Sequence, residues 1–232
     1  MKNRRFFVQQ RTVRQCTGFA WHIPTVILCV IIPISSIILY YTVDSRLTAF
    51  QNVIGMIERY VPVLIVVRIG LFEENFFEPQ MEWLRLAYAK KVHIGSVLYK
   101  TACYLLLVLV PYGVVWLRYQ EMREYIPAEL CKTVGQCLFF AFLCYALCYL
   151  FKSGILALCA SVGYYLICGF YPTLVSLPSV FFGMELWHQN YVMTPKIRNI
   201  FLAAAMLLAV GIYLNKLYLA GPGKHNKTKK SS

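Results

Sequence analysis

Long apolar runs separated by short charged stretches dominate the chain. They cover residues 21–42, 52–72, 97–117, 131–150, 154–171 and 200–219. At about 1.5 Å per helical residue, each run is long enough to cross a hydrocarbon core of about 30 Å. The pattern predicts helices, because barrel strands are short and alternate apolar with polar positions. Only the second run is interrupted by several charges, Glu58, Arg59 and Arg68. The fold class expected is therefore all-α, a polytopic integral membrane protein with six transmembrane helices. The first run is longer than the apolar core of a signal peptide. It ends in LYYTVDS without a small-x-small cleavage site, so it is expected to remain as a span.

Composition agrees and adds a sign. Of 232 residues, 59% are hydrophobic and 14% charged, yet the net charge is +13. A disordered chain needs low hydrophobicity, and a soluble nucleic-acid binder keeps a polar surface around its basic patch. Neither fits, and no nucleic-acid partner is expected. Six spans use about half the chain, which leaves no room for a separate soluble domain of ordinary size. With six crossings, Lys2, Arg4, Arg5, Arg11, Arg14, Arg85, Lys90, Lys91, Lys100, Lys152, Lys216, Lys224, Lys227, Lys229 and Lys230 share one side. Arg46, Arg118, Arg123, Lys132, Lys196 and Arg198 fall on the other, 15 cations against 6. Cations gather on the cytoplasmic side, so both termini are expected there.

The connections differ in kind. Residues 1–20 are basic, with Phe6, Phe7, Val8, Val13 and Phe19 interspersed, and read as an amphipathic interfacial segment ahead of a transmembrane domain at 21–220. Residues 73–100 form a long inner connection, acidic at its start (Glu73, Glu74, Glu78, Glu82) and basic at its end (Arg85, Lys90, Lys91, Lys100). That order complements a helix dipole and predicts a short helix parallel to the membrane. Residues 151–153 read as a tight inner turn. The outer segment 172–198 is apolar in its first half and broken by Pro172 and Pro178, which reads as a re-entrant or interfacial piece. The tail at 221–232 is Gly-, Lys- and Ser-rich and is expected to be disordered.

Four features together form a known pattern: the basic amphipathic start, the six spans, the segment E-E-x-x-x-E…W-L-R-L…K-K…Y-K between spans two and three, and the long outer segment before the last span. In these the chain resembles the permease subunit of a type-2 ATP-binding-cassette (ABC) exporter, a multi-pass protein of the bacterial cell membrane. The resemblance implies a coupling helix after span two that docks on a separate ATP-binding subunit. Carried onto this sequence, that role falls on Glu73, Glu74, Glu78, Glu82, Trp83, Leu84 and Arg85. It also implies two permease subunits, as a homo- or heterodimer, around a central pathway. The stretch 174–184 would correspond to the family's extracellular re-entrant hairpin.

Other constellations are weaker. Glu58, Arg59 and Arg68 sit inside a span, where an uncompensated charge costs roughly 2.5–3.5 kcal/mol at the centre. Two readings stand: pairing or snorkelling, or lining a polar pathway. Of the nine cysteines, Cys137, Cys144 and Cys148 share one face of the fourth run with Ala141, which reads as a packing face rather than a metal site. His22, His93, His188 and His225 fall in four separate regions. No metal or cofactor is expected. The chain has no Walker A run and no G-x-S-x-G, and it departs from the intramembrane-protease pattern E-E-x-x-x-R at Glu78. ATP hydrolysis is therefore expected in a partner, not here. A non-transporting membrane accessory or assembly protein is the other reading, and an intramembrane enzyme a third.

Overall fold

The computed structural model describes residues 22–77, 92–170 and 195–220. Among the described residues every regular element is helical. We number them α1 (His22–Thr42), α2 (Arg46–Phe77), α3 (Val92–Arg118), α4 (Ile126–Phe151), α5 (Gly154–Phe170) and α6 (Pro195–Ala220). A short 3-10 turn, Gln120–Met122, lies between α3 and α4. Four stretches are long and apolar enough to cross a membrane: His22–Thr42, Ile94–Arg118, Ile126–Phe151 and Ile197–Tyr218. Helix α2 has the length, at 32 residues, but carries Glu58, Arg59, Arg68, Glu73 and Glu74. Helix α5 is apolar but has 17 residues.

The residues between the helices explain their boundaries. Helix α1 contains one widened π turn, Ile27–Ile31. Pro33 follows it, and its ring would clash with the carbonyl of Cys29 in a regular helix, so the chain opens one turn to accommodate it. Helix α4 begins with Pro127 in its first turn, where a missing N–H costs nothing, and Glu129 follows in the same turn. It ends on Lys152, held at φ 55° in the left-handed region. Helix α5 then starts at Gly154, three residues after the end of α4.

Contacts along the bundle show that successive helices alternate in direction. Near one end, Lys132 of α4 meets Glu58 of α2, and towards the other, Tyr149 of α4 meets Glu73 of α2, so α2 and α4 run parallel. The intervening α3 runs the other way: Lys100 sits on Phe72, and Tyr112 reaches Glu129. Helix α5 also opposes α2, with Gly154 at Glu74 and Tyr165 at Arg59. Helix α4 is the hub, packing on α2, α5 and α6, while α1 packs on α3 and α2. At the end where α1 and α3 finish, Tyr40, Tyr119, Phe50 and Tyr125 stack in successive ring contacts. Tyr119 also donates to the Ser36 carbonyl of α1 at 3.2 Å.

The apolar residues left exposed form stripes at helical spacing. Helix α1 presents Ile23, Val26, Val30, Ile34 and Ile38, and α6 presents Leu202, Met206, Val210, Tyr213 and Leu217. In water such faces would drive aggregation; in a bilayer they are the surface that lipid tails cover. This identifies the chain as membrane-embedded.

Two expected boundaries shift. The inner connection was expected to open at Glu73 and close at Lys100, but residues 73–77 continue α2 and residues 92–100 already belong to α3. The charges there are answered by neighbouring helices, so they do not break the helix. The outer segment likewise ends earlier, because α6 begins at Pro195. The expected interfacial segment 1–20, the re-entrant stretch 174–184 and the tail 221–232 lie outside the described residues.

Helices α2 and α5 touch through glycines. A Cβ on Gly70 would lie 2.9 Å from Leu158 Cβ, and one on Gly154 would lie 2.6 Å from the Glu74 amide nitrogen. Small residues of this kind let helix backbones approach closely. Gly154→Ala forces backbone against backbone and is expected to cost about 1–3 kcal/mol. Gly163→Ala, on the same helix with nothing within 4 Å of its Cβ, should be neutral. Thermal unfolding of the purified protein in detergent compares the two.

Candidate functional site

The central polar feature is an ion cluster between α2 and α4. The ammonium of Lys132 lies against Glu58 Oε1 and 2.7 Å from Glu129 Oε2. The side chains are closed off from solvent, with relative exposures of 1% for Lys132, 8% for Glu58 and 0% for Glu129. Glu129 and Lys132 are three residues apart on α4 and so share a face, while Glu58 arrives from α2. Tyr112 of α3 closes one side. Its hydroxyl donates to the Glu129 carbonyl at 3.1 Å and lies 2.7 Å from Thr133 Oγ1.

Proline 62 shapes the α2 wall of this cluster. It has no N–H, so the carbonyl of Glu58, four residues earlier, lacks its usual helical donor. Tyr165 of α5 supplies one: its hydroxyl donates to the Arg59 carbonyl at 2.6 Å and approaches the Glu58 carbonyl at 3.3 Å. Nearby, Tyr104 of α3 donates to the Val61 carbonyl at 2.6 Å. A break in the backbone ladder that would be costly in hydrocarbon is thereby answered by the Tyr165 hydroxyl from another helix, and Tyr104 adds a tie to the same stretch of α2.

A second cluster lies towards the other end of α2. Arg68, Glu73 and Lys100 are all buried. The Arg68 guanidinium stands 5.8 Å from the Tyr104 ring centre, and Lys100 Nζ stands 2.8 Å from the Phe72 ring centre. Both attractions draw on the negative ring face. Tyr149 of α4 donates to Glu73 Oε2 at 3.0 Å, and Lys100 lies within electrostatic reach of both Glu73 and Arg68.

One residue further, Glu74 caps α5. Its Oε2 accepts from the amides of Gly154 and Ile155, the latter at 2.9 Å, and from Ser153 Oγ at 3.2 Å. The first amides of a helix have no partner within it and carry the positive end of its dipole. A carboxylate 80 residues away in sequence fills that role here.

Three of the residues that the sequence singles out are each used for internal contact, at separate places along α2. Glu58 pairs with Lys132, Glu73 faces α4, and Glu74 holds α5. Arg68 sits on the α3 side, and Arg59 enters through its backbone. Glu78, Glu82, Trp83, Leu84 and Arg85 lie outside the described residues. Lys132, counted by sequence with the cations of the outer side, is inside the bundle, as is Lys100 from the inner set. One leaves each side, so the asymmetry of cations stands. Glu129 and Tyr112 were missed altogether, while Tyr165, readable from sequence as a packing or pathway-lining residue of the fifth span, packs inward on α2. The signal for Glu129 was the run I-P-A-E at 126–129, a helix start that places it, like Lys132, inside the fourth helix.

Cys137, Cys144 and Cys148 are buried in the α4 interface, and Cys144 Sγ points at the Val66 carbonyl, 3.7 Å away. No group of three or more His, Cys, Asp or Glu able to hold a metal ion occurs among the described residues. The chain matches no protein-family model, no curated protein and no solved structure.

Removing one member of a buried ion cluster strands the rest. Lys132→Met is expected to cost about 3–5 kcal/mol, because two carboxyls then face each other without a cation. Adding Glu58→Gln and Glu129→Gln to it should recover most of the loss. Melting temperatures of the purified variants, or their level in the membrane, read both outcomes.

Proposed function

We propose that this chain is the membrane-spanning permease subunit of an ABC exporter. All six helices cross the bilayer in this reading, with both termini on the cytoplasmic side of a bacterial cell membrane. Two such subunits, identical or related, form the pathway, and a separate subunit hydrolyses ATP. The alternating directions of α1 to α5 and the excess of cations on one side support the six crossings. At about 1.5 Å per residue, α2 is about 48 Å long and outreaches a core of about 30 Å. It therefore leads from the membrane into the charged connection.

The observation that carries the reading is the pair of side chains at the end of α2. Glu73 is tied to α4 and Glu74 to the first turn of α5. Any force applied to the connection 78–91 passes into three helices at once. Closure of two ATP-binding subunits against that connection would tilt α2 and α5 together with α1 and open the pathway outward. Glu73 and Glu74 transmit the movement from inside the bundle. Glu78, Glu82, Trp83, Leu84 and Arg85 meet the ATP-binding subunit.

That division separates two sets of variants. Glu78→Lys with Glu82→Lys is expected to weaken co-purification with a Walker-A-bearing subunit by about tenfold, or about 1.4 kcal/mol. The melting temperature of the permease alone should not move. Glu74→Ala should do the reverse, loosening α5 by about 1 kcal/mol through loss of its cap. Purification of the tagged chain from its native membrane with no ATP-binding subunit would overturn the assignment and leave a non-transporting accessory role.

A further inference from the structure

Helix α2 also carries a polar strip on its outward side. Thr48, Asn52 and Arg59 are exposed, and Gly55 stands between the last two, at helical spacing that puts all four on one face. Gln51 and Tyr60 flank the strip, Tyr60 at 56% exposure. A Cβ on Gly55 would meet nothing within 4 Å, so among the described residues no other helix covers this level. The exposed faces of α1 and α6 are apolar stripes, and this one is polar. Among the described residues the Arg59 side chain makes no hydrogen bond or ion pair. Its neighbour Glu58 is turned inward to Lys132. Asp44, Glu121 and Glu124, exposed in the turns before α2 and α4, do not pair with it.

Depth decides what can answer that charge. The Arg59 carbonyl meets Tyr165, five residues before α5 ends at Phe170, and Glu58 meets Lys132, six residues after α4 begins at Ile126. At about 1.5 Å per residue, Arg59 lies about 8–9 Å inside the ends of both helices. Helical side chains lean towards the N-terminus, and α2 begins at that same end, so the guanidinium is carried back towards the membrane surface. The anion abundant there is the phosphate of a lipid headgroup, which matches the forked donors of a guanidinium. We propose that Thr48, Asn52, Gly55 and Arg59 seat the headgroup of an anionic phospholipid. Its phosphate rests on Arg59, the notch at Gly55 gives it room, and its polar remainder lies along Asn52 and Thr48. A net negative headgroup is favoured over a zwitterionic one, because no carboxylate offsets Arg59 on this face. The acyl chains run beside Val63 and Val67, half-buried residues that continue the strip inwards. The proposal is independent of the exporter reading, since it needs only a membrane-embedded chain.

Phosphatidylglycerol with a photoactivatable headgroup tests this on the full chain in phosphatidylcholine nanodiscs. Peptides of the wild type should carry the label between Thr48 and Tyr60, about tenfold more than with a phosphatidylcholine probe of the same design. Arg59→Gln and Gly55→Leu should each lower that label about tenfold, the second by filling the notch with the charge unchanged. Lys216→Gln, at an exposed cation of α6, should leave it as it was. Wild-type label absent from that stretch, or equal with both probes, overturns the proposal without any variant having to fold. Label undiminished in Arg59→Gln overturns it as well. Water-soluble glycerol phosphate competing as strongly as unlabelled phosphatidylglycerol would give the site to a soluble anion. Cross-linking of the stretch to a second copy of the chain in place of lipid would give it to a subunit contact. Either result overturns the lipid assignment.

Discussion

Charge inside an apolar bundle has to be answered by another helix, and that requirement sets the arrangement of this protein. Lys132 fixes α2 against α4 at one level and Glu73 with Tyr149 fixes them at another. The two contacts are 15 residues apart on α2 and 17 on α4. At about 1.5 Å per residue those separations agree to within a turn. The helices are thus held in register as well as in contact. Apolar packing alone gives weak register between helices that lie in lipid, because lipid tails are as apolar as the side chains they would replace.

The same requirement explains why α2 is so unlike its neighbours. Its charges and its internal proline would each be expensive on a lone helix in hydrocarbon. Each has a partner on a different helix: Glu58 on α4, Arg68 on α3, Glu74 on α5, and the carbonyls near Pro62 on α3 and α5. Helix α2 is therefore the least able to stand by itself and the most widely connected. Helices α1 and α6, with broad apolar faces towards the outside, are the opposite case.

Much of this was legible in the sequence, for a simple reason. Twenty-residue apolar runs have few other uses, and their ends are marked by charge, so the six helices stand where the pattern put them. The boundaries near Glu73, Lys100 and Lys132 did not, because a charged residue reads as the end of a span. Whether it is one depends on what another helix offers, and that is a property of the fold and not of the neighbouring residues. Glu58 carried a signal because it interrupts an apolar run. Its partner Lys132 carried almost none, because it stands where the run begins. That Tyr112, Tyr149 and Tyr165 serve the polar interior depends on which helices adjoin.

The cap on α5 has a consequence for how the protein is made. A chain emerges from its N-terminus, so α2 is in the membrane well before α5 is synthesised. The first amides of α5 then enter an environment where a carboxylate is already waiting, provided that α2 has reached its full length. Glu74 thus works as a landing point for the short helix, whose apolar stretch ends at Ile167, beside the cap that its own Ser153 gives to the Leu156 amide. Biosynthetic order and native structure agree at this point, and the earliest charged helix serves as the template on which a later one is seated.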